Sequence, residues 1–149
     1  MRFALLIAFA AVLVPVVIFT NFGRYIIDWH NDGVQLSIFS RRIADADRAV
    51  AKCLSEPVEM TFSGDELKTI LHAVSSGSSA RMPDAVFMSA PFAIVTFHRG
   101  TNTLGELSMS HELFALSGSV FFDDSSGLNQ TIYAPLRQKL NETYATGKK

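Results

Sequence analysis

The longest apolar stretch of the chain lies at its N-terminus. Residues 3–19 carry no charged and no strongly polar side chain. A helix rises about 1.5 Å per residue, so a bilayer core about 30 Å thick needs roughly 20 apolar residues, with about 17 as the lower limit. The stretch reaches that limit, and Thr20, Asn21 and Phe22 extend it. The pattern predicts a membrane-spanning helix over residues 3–22, as part of a transmembrane signal anchor over residues 1–23.

A cleaved secretory signal is the alternative interpretation of this stretch. Such signals combine a basic start, an apolar core of about 7–15 residues and small residues before the cut. Arg2 supplies the basic start, but the apolar core is longer, and its one Ala-x-Ala, from Ala8 to Ala10, lies inside that core. The sequence therefore favours an uncleaved, single-pass anchor. Its short basic flank predicts a cytoplasmic N-terminus and an extracytoplasmic domain.

Beyond the anchor, the spacing of apolar positions changes several times. Residues 24–33 are interpreted as a juxtamembrane linker that ends at the turn signal Asn31-Asp32-Gly33. Alternation over residues 34–38 then predicts a short strand, because successive side chains of a strand point to opposite faces. Three- and four-residue steps over residues 40–54 predict an amphipathic helix.

The middle of the chain predicts a strand followed by a capped helix. Residues 58–62 alternate again, with Val58, Met60 and Phe62 on one face. Ser63 and Glu66 then stand at the spacing of a capping box, in which each side chain bonds a free backbone N–H of the first turn. The helix is expected to end near residue 75.

Two hairpins and a final helix complete the pattern. Strands over residues 92–98 and 104–110 are joined by a loop that contains Gly100. The predicted register sets His98 opposite Leu104. The same register pairs Ala93 with Met109, Val95 with Leu107 and Phe97 with Gly105 on one face, and Ile94 with Ser108 and Thr96 with Glu106 on the other. Residues 86–88 are interpreted as an edge strand, residues 112–116 and 119–122 as a second hairpin, and residues 134–144 as a helix.

These elements predict an α+β fold behind the anchor. The domain over residues 34–146 is expected to contain a small antiparallel sheet of four to six strands, packed by two or three helices. Eight of the twelve phenylalanines lie within these residues and can fill its core, and the single cysteine excludes an internal disulfide. Cys53 lies on the apolar stripe of the helix predicted over residues 40–54, which indicates a buried, unreactive thiol.

Charge and motifs exclude several classes of function. The formal net charge is −1 and no basic patch stands out, so we expect no nucleic-acid partner. His111-Glu112 begins like a zinc-protease motif, but Ala115 occupies the position of the second histidine. Asp123 and Asp124 form an adjacent acidic pair in a Ser/Gly-rich segment, interpreted as a solvated turn rather than a cation site. No cofactor and no metal are predicted, and a binding protein is favoured over an enzyme.

Apolar side chains predicted on the less protected sheet face are the candidate partner contacts. They are Phe92, Ile94, Leu104 and Phe121. The alternative is that a helix, such as the one predicted over residues 40–54, covers this face. The sequence therefore predicts a membrane-anchored extracytoplasmic module that binds another protein, as an accessory, assembly or inhibitor-like factor. Two alternatives remain: a small tethered hydrolase using Asp123, Asp124 and a histidine, and a secreted domain that binds a hydrophobic ligand.

Overall fold

The computed structural model describes residues 21–79, 92–110, 113–116, 120–123 and 127–146. The elements in chain order are helix α1 (Asn21–Ile43), strands β1 (Arg48–Cys53) and β2 (Glu59–Phe62), helix α2 (Gly64–Ser75), strands β3 (Ser78–Ser79), β4 (Ala93–Arg99), β5 (Asn102–Met109), β6 (Leu113–Leu116) and β7 (Val120–Asp123), a π-helical turn (Asn129–Tyr133) and helix α3 (Ala134–Thr146). The predicted α+β class is confirmed.

One antiparallel sheet carries all the described strands. Their order across the sheet is β2-β1-β4-β5-β6-β7-β3, and every neighbouring pair is antiparallel. The sheet has seven strands where four to six are predicted, although β3 is only two residues long. The edge strand predicted over residues 86–88 lies outside the described residues.

Helix α1 replaces the predicted linker, turn and first strand. Residues 24–33 are helical, the turn at Asn31-Asp32-Gly33 is not formed, and the strand predicted over residues 34–38 is wrong. Leu36, Phe39 and Ile43 follow the helical period and are buried. Val34 and Ile38 lie on another side of the same helix and are exposed. Apolar residues on two helix faces therefore imitate the alternation of a strand.

Strand β1 replaces most of the helix predicted over residues 40–54. Ala49, Ala51 and Cys53 are buried, whereas Arg48 and Lys52 are exposed, which is the two-residue period of a strand. The strand pairs with β2 on one edge and β4 on the other. Alanine contributes little to a hydrophobic pattern, so the three-residue step from Val50 to Cys53 led to the prediction of a helix. In the structure, pairing on both edges makes this segment a strand.

The central hairpin has the predicted register along most of its length. Ala93, Val95 and Phe97 pair with Met109, Leu107 and Gly105, and the pairs Thr96–Glu106 and Ile94–Ser108 are also formed. The prediction is wrong at the turn, where a register shift after Phe97 pairs His98 with Thr103 instead of Leu104. Gly100 has φ +58°, so the connection is tighter than the predicted five-residue loop.

The remaining predicted elements are confirmed with small changes. The second hairpin is β6 and β7, and the final helix extends from Ala134 to Thr146. Helix α2 begins after Ser63, as predicted, but the Ser63 side chain makes no capping hydrogen bond. Gly64 has φ +58°, which departs from the right-handed first turn that a capping box requires.

A single apolar core lies between one face of the sheet and the helices. The inward side chains of β4 and β5 share one buried cluster with Phe39 and Ile43 of α1, Ile70 and Val74 of α2, and Leu136 of α3. Each such side chain contributes about 1.5–3 kcal/mol on burial. The opposite face of β4 and β5 is half-buried and polar in part, with Thr96 Oγ1 donating to Glu106 Oε1 over 3.2 Å. The predicted contrast between the two faces is confirmed.

No helix within the described ranges combines the length and the apolar character that crossing a bilayer requires. The predicted anchor over residues 3–22 lies outside those ranges except for its last two residues.

Candidate protein-binding groove

A groove of about 530 Å³ lies between helix α1 and the short segment that follows helix α2. The α1 wall carries His30, Val34, Ile38 and Arg41, and the other wall is formed by residues 77–79. The groove is open to solvent, because Val34 is 44% and Ile38 is 59% exposed. We refer to it below as the α1–β3 groove.

Helical spacing explains why α1 can both fill the core and line this groove. Residues four apart lie on the same side of a helix, so Val34 and Ile38 are neighbours on one stripe, together with His30. Leu36, Phe39 and Ile43 form a second stripe that is buried. Four large hydrophobic side chains are exposed within the described ranges, and two of them are on this stripe of α1. The groove therefore has the strongest apolar exposure on any described helix.

A buried polar contact fixes α1 against the edge strand beneath the groove. Asp32 is only 1% exposed, and its Oδ2 accepts a hydrogen bond from Ser79 Oγ over 2.8 Å. A buried carboxyl group is costly without such partners, so this contact favours one placement of β3 beside α1. The sequence placed Asp32 in an exposed turn and gave no sign of this role.

The electrostatic character of the groove comes from its two ends. His30 lies at one end of the α1 wall and Arg41 at the other, and no carboxylate is among the described lining residues. Neither side chain has a hydrogen-bond or ion-pair partner within the described part of the chain. Arg99, in contrast, pairs with Asp45 at 3.3 Å. The groove thus has an apolar centre between two donor groups.

The residues predicted as partner contacts differ in their surroundings. Phe92 packs its ring against Tyr133 at a centroid distance of 4.6 Å, and both Phe92 and Leu104 contact the core. Both side chains are therefore half-buried. Ile94 lies on the less protected face, half-buried and paired with Ser108. Phe121 pairs with Ala115, and its side chain is outside the description. Their role in binding stays a prediction.

The residues proposed for catalysis are described only in part. Among described residues, no group of three side chains capable of holding a metal is found. His30, His72 and His98 lie on three different elements, α1, α2 and β4. His111 and Asp124 lie outside the described residues, and of Asp123 the structure gives the backbone pairing alone. Nothing described assembles the acid–base pair that a hydrolase would need.

Sequence reasoning missed the groove because it assigned α1 to three other elements. A test of the helical period over residues 30–43 would have found two apolar stripes, one at positions 36, 39 and 43 and another at 34 and 38. A single core covers one apolar stripe of a helix, so a second stripe is left over for another contact. No family model, no curated protein and no solved structure matches this chain.

Proposed function

We propose that this protein is a membrane-anchored extracytoplasmic module that binds another protein through the α1–β3 groove. The observation that carries this proposal is the pair of exposed apolar side chains, Val34 and Ile38, on a helix that also builds the core. Contiguous apolar exposure beside polar residues is typical of interaction surfaces.

Anchoring is supported by the length and apolar character of residues 3–19. The described part of the chain opens in helix α1, Asn21–Ile43. A hydrophobic membrane segment is itself helical, because every backbone N–H and C=O must be bonded within it. Arg2 beside the apolar stretch favours a cytoplasmic location for that end of the anchor.

A protein partner suits the groove better than a small hydrophobic ligand does. Small-molecule sites bury most of the ligand in an enclosed cavity. Here the two apolar side chains on the α1 wall remain about half exposed, and the groove follows three turns of helix. An elongated open groove of this kind is complementary to a segment of polypeptide.

Photo-crosslinking in the native membrane tests the binding surface. A photoreactive residue replaces Val34 or Ile38 in the full chain, with Lys68 as the matched control, because its side chain is 78% exposed on α2. We expect an adduct with a second polypeptide from both groove positions and none from Lys68. Equal adducts at all three positions, or none at the groove, would contradict the proposed surface.

Protease treatment of intact cells and the mass of the recovered protein test anchoring and orientation. We expect a full-length mass in the membrane fraction and digestion of the domain from the outside. A mass shorter by about twenty residues in a soluble fraction would indicate a secreted domain instead. A full-length protein that resists external protease would place the domain in the cytoplasm.

A further inference from the structure

We propose that the segment bound in the α1–β3 groove is an acidic, amphipathic peptide of the partner protein, with apolar side chains between two carboxylates. This inference rests on the proposed function and adds the chemistry of the partner. The groove offers apolar contact at Val34 and Ile38, and cationic or donor groups at Arg41 and His30.

Arg41 is the strongest evidence for a carboxylate on the partner. Several other cationic side chains already have contacts within the protein: Arg42 lies 5.3 Å over the Phe39 ring, Lys68 pairs with Asp65 at 2.8 Å, and Arg137 lies over Tyr133. Arg48 and Lys52 on β1 are exposed without such a partner in the described ranges, but neither lines the groove. Arg41 has no such partner within the described ranges, although it lines the groove. A guanidinium group presents parallel N–H donors that match a carboxylate in a bidentate arrangement.

The spacing along α1 defines the arrangement of the partner. His30 and Arg41 are about 16 Å apart along the helix axis, at about 1.5 Å per residue. Val34 and Ile38 lie between them. A partner helix would span this distance with about eleven residues, and an extended segment with about five. In either case two acidic positions flank an apolar pair.

The same cationic and apolar mixture attracts anionic lipid, but the geometry favours a peptide. Val34 and Ile38 follow the predicted end of the anchor at residue 22 by 12 and 16 positions, or about 18 and 24 Å for a helix along the membrane normal. Headgroup layers extend only about 5–8 Å beyond the hydrocarbon core, and charges are screened over about 8 Å. A flat membrane surface also does not enter a groove between a helix and a strand.

Selection from a random peptide library tests the inference. Full-length protein in discs of neutral lipid is used to select displayed 12-residue peptides, and enriched peptides are then synthesised and titrated. We expect an excess of Asp and Glu over Lys and Arg, on both sides of apolar positions. Arg41→Glu and the milder Arg41→Gln should each weaken binding about tenfold or more. Lys68→Glu, which changes the charge as much as Arg41→Glu, should leave binding unchanged.

Several outcomes would overturn the acidic-peptide inference. They are no enrichment over empty discs, enriched peptides without an acidic excess, and equal binding by the Arg41 variants. If anionic lipid discs that carry no protein bind this protein, and if Arg41→Glu abolishes that binding, the groove would be assigned to lipid headgroups instead. Crosslinks from Val34 together with any of the first three results would keep the proposed function and reject only the acidic partner.

Discussion

Gly105 gives the sharpest test of how α1 packs on the sheet. A methyl group added there would lie 2.7 Å from Phe39 Cε2, 3.2 Å from Arg42 Nη2 and 3.4 Å from Ile43 Cγ2. The optimum between carbon atoms is about 3.5–4.0 Å, so the first of these contacts is repulsive. Phe39 is 4% exposed and cannot easily move, because its ring meets Phe97 edge-on at 6.0 Å. Gly105→Ala therefore forces α1 away from the hairpin.

The magnitude follows from two opposing effects. Overpacking of this kind costs about 1–3 kcal/mol. Replacing glycine with alanine restricts the unfolded chain, which returns about 0.4–1 kcal/mol. We expect a net loss of at most about 2.6 kcal/mol, with the close contact favouring the upper part of that range. At roughly 3–5 °C per kcal/mol for a domain of this size, the unfolding midpoint should fall by up to about 13 °C.

Gly33 provides the matched control for this substitution. It lies within α1, and an added Cβ would meet nothing within 4 Å. Gly33→Ala should stabilise the protein by up to about 1 kcal/mol, because alanine is the better helix former. The same chemical change thus has opposite signs at the two sites. Thermal unfolding of full-length protein in detergent, followed by circular dichroism, measures both.

A double variant separates the steric clash from a general effect on the strand. Phe39→Leu removes the ring atom that the new methyl group meets. Combined with Gly105→Ala, it should lose less stability than the two single variants lose together. A stabilising Gly105→Ala, or strictly additive losses, would refute the packing of α1 on β5 as described.

Three further predictions concern other contacts. Gly77→Ala should destabilise the protein by about 1–3 kcal/mol in chemical denaturation, because the new Cβ would lie 2.7 Å from Cζ of the buried Phe114; unchanged stability would contradict that contact. The hydrogen bond from Tyr144 to Glu56, followed by burial, raises the pKa of the Tyr144 phenol above 10.0. The stabilisation from the Tyr144–Glu56 hydrogen bond is therefore complete below pH 10 and is lost as the pH rises through the folded-state pKa of Tyr144. Ultraviolet titration should show one late-ionising tyrosine that is absent in Tyr144→Phe. Cys53 is 2% exposed, so a thiol reagent should label it only as fast as the protein opens; rapid labelling of native protein would contradict its burial.

The central hairpin could be predicted from sequence because its information is local. Alternation selects the faces of β4 and β5, a short connection limits the register, and Val95–Leu107 follows from both. The turn itself was mispredicted, because the shift after Phe97 changes which residue faces His98. That detail depends on how Gly105 and Leu104 pack beneath and beside α1, which the pattern does not contain.

Helix α1 and strand β1 could not be predicted because their patterns are ambiguous. Val34 and Leu36 are both apolar, yet Val34 is exposed in the structure and Leu36 is buried. The difference comes from contacts of α1 with α2, β3 and β5, which are distant in the chain. The groove inherits this ambiguity, since its chemistry depends on which stripe of α1 the core leaves uncovered. The proposed role of Arg41 as a partner contact also could not be predicted from the sequence, because it depends on which residues line the groove beside it.

If residues 3–22 anchor the domain as proposed, the unbroken course of α1 over Asn21–Ile43 has a mechanical consequence for a partner that binds the groove. A flexible tether would let the domain rotate freely above its attachment point. In α1, each residue added between Asn21 and Asn31 instead turns the head by about 100° and lifts it by about 1.5 Å. One added residue would rotate the groove by about a quarter turn about the helix axis. Seven would return it close to its original orientation, about 10 Å higher. Helix α1 would therefore set both the height of the groove above the membrane and the direction from which a partner approaches it.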